Sequence, residues 1–275
     1  MKFGVFNFAA GLAMAAAVPL SSFSSTTYFF TFGDSYSQTN FNVSGEQPNA
    51  VDPMGNPTLG TGTTGGGINW IGRLTTTYND SLVLSYNLAV GGATINNAIV
   101  NSGYEDMTSQ VATFQYVYSN KSGFAPWKSS DAVFGFWIGI NDIGNGFKSQ
   151  NASQVVPRLM AQYKYLFQSI YADGGRKFLF LNVPPTNRSP FILDQGLAVS
   201  RKHTAWLADY NEALKLMVLG LRDRYWDTQI VLYDSFKFMT KVLNNPQGYG
   251  FRNASCIDDD GARDMKPYLA AFEAW

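Results

Sequence analysis

The chain has a single histidine, His203, and a single cysteine, Cys256, in 275 residues. An odd cysteine closes no bridge within the chain, so Cys256 is either a free thiol or half of a disulfide whose partner is missing. Charge is sparse and balanced, with 20 basic and 20 acidic side chains making up 15% of the sequence. No net field therefore attracts nucleic acid or an anionic membrane, and neither is expected as a partner. Long apolar runs are missing after the first: Lys2 precedes an apolar stretch from Phe3 to Val18, in which Ala15, Ala16 and Ala17 offer the small residues a signal peptidase prefers. That stretch is shorter than the about 20 residues a membrane span requires. Residues 1–20 thus read as a signal peptide and the rest as a secreted, extracellular protein with no membrane anchor. N-x-[S/T] sequons at Asn42, Asn79, Asn120, Asn151, Asn187 and Asn253 fit a glycoprotein of the secretory pathway, with Pro190 counting against the one at Asn187.

A hydrophobic content of 45% with so little charge excludes disorder. Residues 27–275 are expected to form one domain and a monomer, since no repeat or shift of composition divides them. Apolar strand-like runs at Tyr28–Phe32, Leu82–Leu88, Ala132–Ile140, Lys177–Val183 and Ile230–Tyr233 alternate with amphipathic stretches. Val155, Leu159, Tyr163, Leu166 and Ile170 recur at helical spacing, as do Leu207, Tyr210, Leu214, Met217 and Leu221. Alternating βα units predict an α/β fold, a three-layer α/β/α sandwich around a five-stranded parallel sheet. The Gly-, Pro-, Asn- and Thr-rich segment Ser44–Gly67 is too long for an ordinary connector and is expected to be a binding loop beside the site.

In such a sheet the site lies outside the carboxyl ends of the strands, where backbone N–H groups and helix N-termini converge. The first strand runs into Gly33-Asp34-Ser35, the second into Gly91-Gly92-Ala93-Thr94 and the third into Gly139-Ile140-Asn141-Asp142. Singly, the first could be a turn, the second a strand end and the third a helix cap. Together they suit acyl transfer: a serine nucleophile with three oxyanion donors, the Ser35 N–H, the Gly92 N–H and the Asn141 side-chain amide. Glycine at 92 lets the backbone approach a substrate with no Cβ in the way.

In this order the three blocks resemble the SGNH, or GDSL, hydrolase family, in which they supply the nucleophilic serine, an oxyanion glycine and an oxyanion asparagine, here Ser35, Gly92 and Asn141. Asn69-Trp70, Tyr86-Asn87-Leu88-Ala89-Val90-Gly91-Gly92-Ala93-Thr94, Trp137-Ile138-Gly139-Ile140-Asn141-Asp142-Ile143-Gly144-Asn145 and Phe180-Leu181-Asn182-Val183-Pro184-Pro185 are similar to the fungal acetyl esterases of carbohydrate esterase family 16. The resemblance runs from about Phe29 to about Cys256. It implies a flavodoxin-like fold, no metal or cofactor, and a serine esterase that removes acetyl groups from hemicellulose oligosaccharides or other small esters. Aromatics such as Phe134, Phe136 and Trp137 follow the strand pattern and are assigned to the core rather than to sugar stacking.

The last family element departs. Members carry an Asp-x-x-His block after the fifth strand, the histidine acting as base to the serine and the aspartate orienting it. Here Asp260-Gly261-Ala262-Arg263 places arginine where histidine belongs, and a guanidinium stays protonated and accepts no proton. Otherwise the block lies past Trp275, which the unpaired Cys256 favours. No catalytic histidine or aspartate is found: His203, among charged neighbours near the start of a helical stretch, reads as a solvated surface residue, and Asp258, Asp259 and Asp260 as a solvated acidic turn rather than a cation site. Three functional readings remain: an esterase whose terminal block is absent, a secreted glycan-binding protein without turnover, and a non-functional truncated fragment.

Overall fold

The computed structural model describes residues 25–251, 253 and 254. The expected signal peptide, Cys256, the acidic run Asp258–Asp260 and Arg263 lie outside the described residues. Strands β1 (Thr26–Gly33), β2 (Leu82–Asn87), β3 (Ala132–Trp137), β4 (Lys177–Leu181) and β5 (Gln229–Tyr233) form one parallel sheet in the order β2-β1-β3-β4-β5. Between and after them run α1 (Trp70–Thr76), α2 (Met107–Val117), α3 (Ile140–Gly146), α4 (Ala152–Ala172), α5 (Pro190–Leu193), α6 (Leu197–Arg224) and α7 (Ser235–Asn244). This is the α/β arrangement that the alternating pattern predicts, and its strand order is that of flavodoxin-like sheets.

Successive strand residues face opposite sides of a sheet, and here both sides are covered. Phe30, Phe32, Phe134, Phe136, Phe178 and Phe180 belong to the main core, with Phe114 of α2, Leu159, Tyr163 and Phe167 of α4 and Tyr210 of α6. Their neighbours Phe29 and Val133 face the other way, onto Trp70 and Ile71 of α1. The parallel register sets Phe30 beside Phe134 and Phe32 beside Phe136, so their rings stack at 5.4 and 5.0 Å, and Phe180 continues the row at 5.2 Å from Phe136. Offset ring pairs of this kind add about 0.5–1.5 kcal/mol each beyond the area they bury.

The helical stripe of α4 is buried at all five expected positions, whereas in α6 Val218 is buried and Met217 only partly. β3 stops at Trp137, three residues earlier than expected. Gly139, with φ of 125°, turns the chain into α3, and a Cβ there would lie 2.3 Å from the Tyr210 ring. Segment Ser44–Gly67 runs in turns along the outer edge of β2, where the Ser85 N–H donates to the Pro53 carbonyl at 2.9 Å, so it covers a strand edge that would otherwise be open. It also reaches the turn after β1, because Gln38 Nε2 donates to the Gly62 carbonyl at 3.4 Å.

Candidate active site

The sheet order reverses direction between β1 and β3, so loops leaving these two strands diverge and open a crevice at their carboxyl ends. Ser35 sits there, in a tight turn directly after β1. Asp34 builds the turn: its carbonyl accepts the N–H groups of Ser37 and Gln38, and its carboxylate accepts the Tyr36 N–H at 3.0 Å. Asn69 and Asn87 both donate to the Ser37 carbonyl, at 3.0 and 2.6 Å, and Trp70 Nε1 donates to the Ser37 hydroxyl at 3.1 Å. Tyr36 stacks on Trp137 at 5.0 Å, with Trp70 edge-on to the same indole at 5.7 Å. The Ser35 turn is thereby held from β2, β3 and α1 at once, while Ser35 itself remains partly exposed.

Hydrogen bonds tie the second block to the first and the third to the second. The Val90 N–H donates to the Gly33 carbonyl at 3.1 Å, and Asn141 Nδ2 donates to the Ala93 carbonyl at 2.8 Å. Gln38 accepts the Gly91 N–H, linking the Ser35 turn to the Gly92 loop directly. Gly92 has φ of 81°, and a Cβ on it would meet the Tyr104 ring at 2.4 Å, so both backbone conformation and space require glycine. Among the described residues neither the Ser35 N–H nor the Gly92 N–H has an acceptor. Asn141 Nδ2 uses one of its two hydrogens on Ala93 and keeps the other. Asn141 and Asp142 lie inside the first turn of α3, with Gly139 as the N-cap, so neither is a cap residue. The crevice thus brings together a hydroxyl and uncommitted donors from three blocks, as stabilisation of a developing oxyanion requires.

Two buried carboxyl groups support the loops. Asp142 accepts the Ile95 N–H through both oxygens at 3.2 Å, fixing the chain that leaves Ala93. Burial pushes its pKa up to about 7, with the Ile95 N–H pulling the other way and the charge of Asp106 adding to the rise. Burial likewise lifts Asp34 to about 8, opposed by the Tyr36 N–H and reinforced by Asp142. Both carboxyls thus serve to hold the loops through their backbone N–H bonds.

Sequence reasoning missed Gln110. This α2 residue is 1% exposed and clasps the last residue of β1 from both sides: its Oε1 accepts the Gly33 N–H at 2.9 Å and its Nε2 donates to the Gly33 carbonyl at 2.8 Å. The only signal available was a polar residue inside an apolar helical stripe beside Met107, Val111 and Phe114.

No base stands at the serine among the described residues. Among the described residues no side chain hydrogen-bonds the Ser35 hydroxyl, and the chain's one histidine is elsewhere. His203 is not the solvated residue expected: it is 3% exposed, with its ring 5.0 Å from Phe147, which caps the far end of α3. Arg201 and Lys202 are exposed as expected, but His203 lies one turn before Leu207, at the head of the buried stripe, so the helix turns it inward. Burial drops its pKa to about 4.

The chain is similar to known proteins along most of its length. The GDSL-like lipase/acylhydrolase family matches residues 29–261. An acetylesterase of Thermothelomyces thermophilus is 40% identical over 241 residues, which cover 86% of this chain and 80% of that protein. An acetylesterase of Hypocrea jecorina is 23% identical over 263 residues, covering 81% and 72%. Among solved structures, an acetylxylan esterase from Geobacillus stearothermophilus aligns with a TM-score of 0.48 and 11% identity over 90% of this chain and 93% of its own.

Proposed function

Because the chain belongs to the GDSL-like lipase/acylhydrolase family and is by family a carboxylic ester hydrolase, we propose that its Ser35 site is built to remove acetyl groups from the hydroxyls of hemicellulose oligosaccharides. One observation carries the reading: the Ser35 turn, the Gly92 loop and the Asn141 amide are joined by hydrogen bonds and leave donors free. In the proposed mechanism the Ser35 oxygen attacks the acetyl carbonyl, and the Ser35 N–H, Gly92 N–H and Asn141 amide receive the oxyanion. The sugar oxygen departs with a proton, and water then cleaves acetyl-Ser35 to release acetate. The acetyl preference draws on the two acetylesterase relatives. Secretion, N-glycosylation and a monomeric state, read from the sequence, belong to the same proposal.

The reading includes a deficit. Serine is a weak nucleophile until a base takes its proton, and the one imidazole in the chain is packed against Phe147. The 275-residue polypeptide is therefore proposed to hold esters better than it cleaves them, which keeps a glycan-binding role as the second reading. Loss of a triad member leaves about 10³–10⁴-fold acceleration over water from binding and oxyanion donors alone. Hydrolysis of a chromogenic acetyl ester by the purified chain, beside Ser35→Ala, tests this. Turnover close to that of Ser35→Ala is expected, and fast turnover abolished by that substitution would mean that another group serves as base.

A further inference from the structure

An open cleft of about 390 Å³ lies between the chain at residues 40–43, the exit of β2 and helix α2. Two of its lining residues also bond Gly33, two residues before Ser35: the Val90 N–H donates to the Gly33 carbonyl, and Gln110 clasps Gly33 from both sides. Phe41, Leu88 and Val90 make its surface apolar, and Asn40, Asn42 and Glu105 supply polar groups. The Asn40 side-chain oxygen is taken by Gln38 Nε2 at 2.6 Å, so its amide keeps the NH₂ as a donor. Glu105 offers acceptors. No basic residue lines the cleft, so nothing there attracts an anion. Tyr104, the neighbour of Glu105 in sequence, has its ring against Gly92 and is 61% exposed.

Apolar walls with separate donors and acceptors and no cation match a neutral sugar ring, which presents C–H faces and hydroxyls together. We propose that this cleft is the saccharide subsite of the Ser35 site, seating a neutral pyranose unit of the oligosaccharide while the acetyl group reaches Ser35. The proposal rests on the esterase reading above but does not depend on turnover.

The test is calorimetric titration of the full chain with xylotriose, which carries no ester to cleave. Asn42 heads a sequon, so the protein is made in a bacterial host that leaves its amide unmodified. Saturable binding is expected, weakened at least about tenfold, or about 1.4 kcal/mol, in Thr113→Arg, whose longer side chain fills the cleft from α2. Asn40→Gly is the second variant: it removes one donor at an exposed position whose φ of 58° glycine adopts freely, and a several-fold loss is expected. Xylotriose that fails to bind, or that binds both variants as tightly as the parent, overturns the proposal. So does octanoate binding in its place with the same sensitivity to Thr113→Arg, which would make the cleft an acyl-chain site. If xylotriose binding keeps its dependence on Thr113 while Ser35 shows no ester chemistry under any condition, the esterase reading falls and the saccharide site stands.

Discussion

At the scale of single residues, His203 decides between two accounts of the chain. Were it the base for Ser35 it would need solvent or substrate contact and a pKa near neutrality. Instead its ring is packed on Phe147, and burial holds it neutral down to about pH 4. The sign of the linkage follows from that depression. Between the ordinary histidine value of about 6.5 and about 4 the unfolded chain takes up a proton at His203 that the folded chain refuses, so stability falls as pH falls through this window. His203→Phe removes the titration while retaining an aromatic ring in the apolar setting. Chemical denaturation at neutral pH and near pH 4 should show the parent losing stability relative to His203→Phe, by up to roughly 3 kcal/mol for a depression of this size. A difference between the two proteins that does not change with pH would place the imidazole in contact with water.

At the scale of elements, the strand end that presents Ser35 depends on a helix. β1 finishes at Gly33, and Gln110 of α2 satisfies both the N–H and the carbonyl of that residue within the core. Gln110→Leu keeps the volume but leaves the Gly33 N–H without a partner, and a buried unsatisfied group costs about 1–3 kcal/mol. A loss of that size is expected in thermal or denaturant unfolding; unchanged stability would mean that water reaches Gly33. Met107, Val111 and Phe114 mark an apolar stripe in α2, but Gln110 within it resembles any surface glutamine in sequence, so this contact was not legible. What was legible follows from periodicity: the five strands appear where alternating apolar runs place them, and every stripe residue of α4 is buried. His203 escaped for the opposite reason. Its charged neighbours drew attention, although the spacing from His203 to Leu207, Tyr210 and Leu214 already put it on the buried face. The three site blocks could be read because each needs a particular residue at a strand exit, whereas the polar network of Asn69, Asn87 and Trp70 around Ser37 requires three-dimensional contacts that no spacing encodes.

For the whole molecule, a sheet stacked with phenylalanines forms a rigid base beneath loops that gather a serine, a glycine and an asparagine at one crevice. The central claim is the proposal that this crevice is an acyl-transfer site to which the described residues bring no imidazole. Adding imidazole to the purified chain during hydrolysis of an unactivated acetyl ester tests it most directly, with Ser35→Ala and Asn141→Ala subtracting the hydrolysis that imidazole causes by itself. The account predicts little turnover without imidazole, and with it a rate that rises with imidazole concentration, disappears in Ser35→Ala and drops roughly 10²–10³-fold in Asn141→Ala, as for loss of one oxyanion donor. Equal rates in the parent and Ser35→Ala at every imidazole concentration would contradict it.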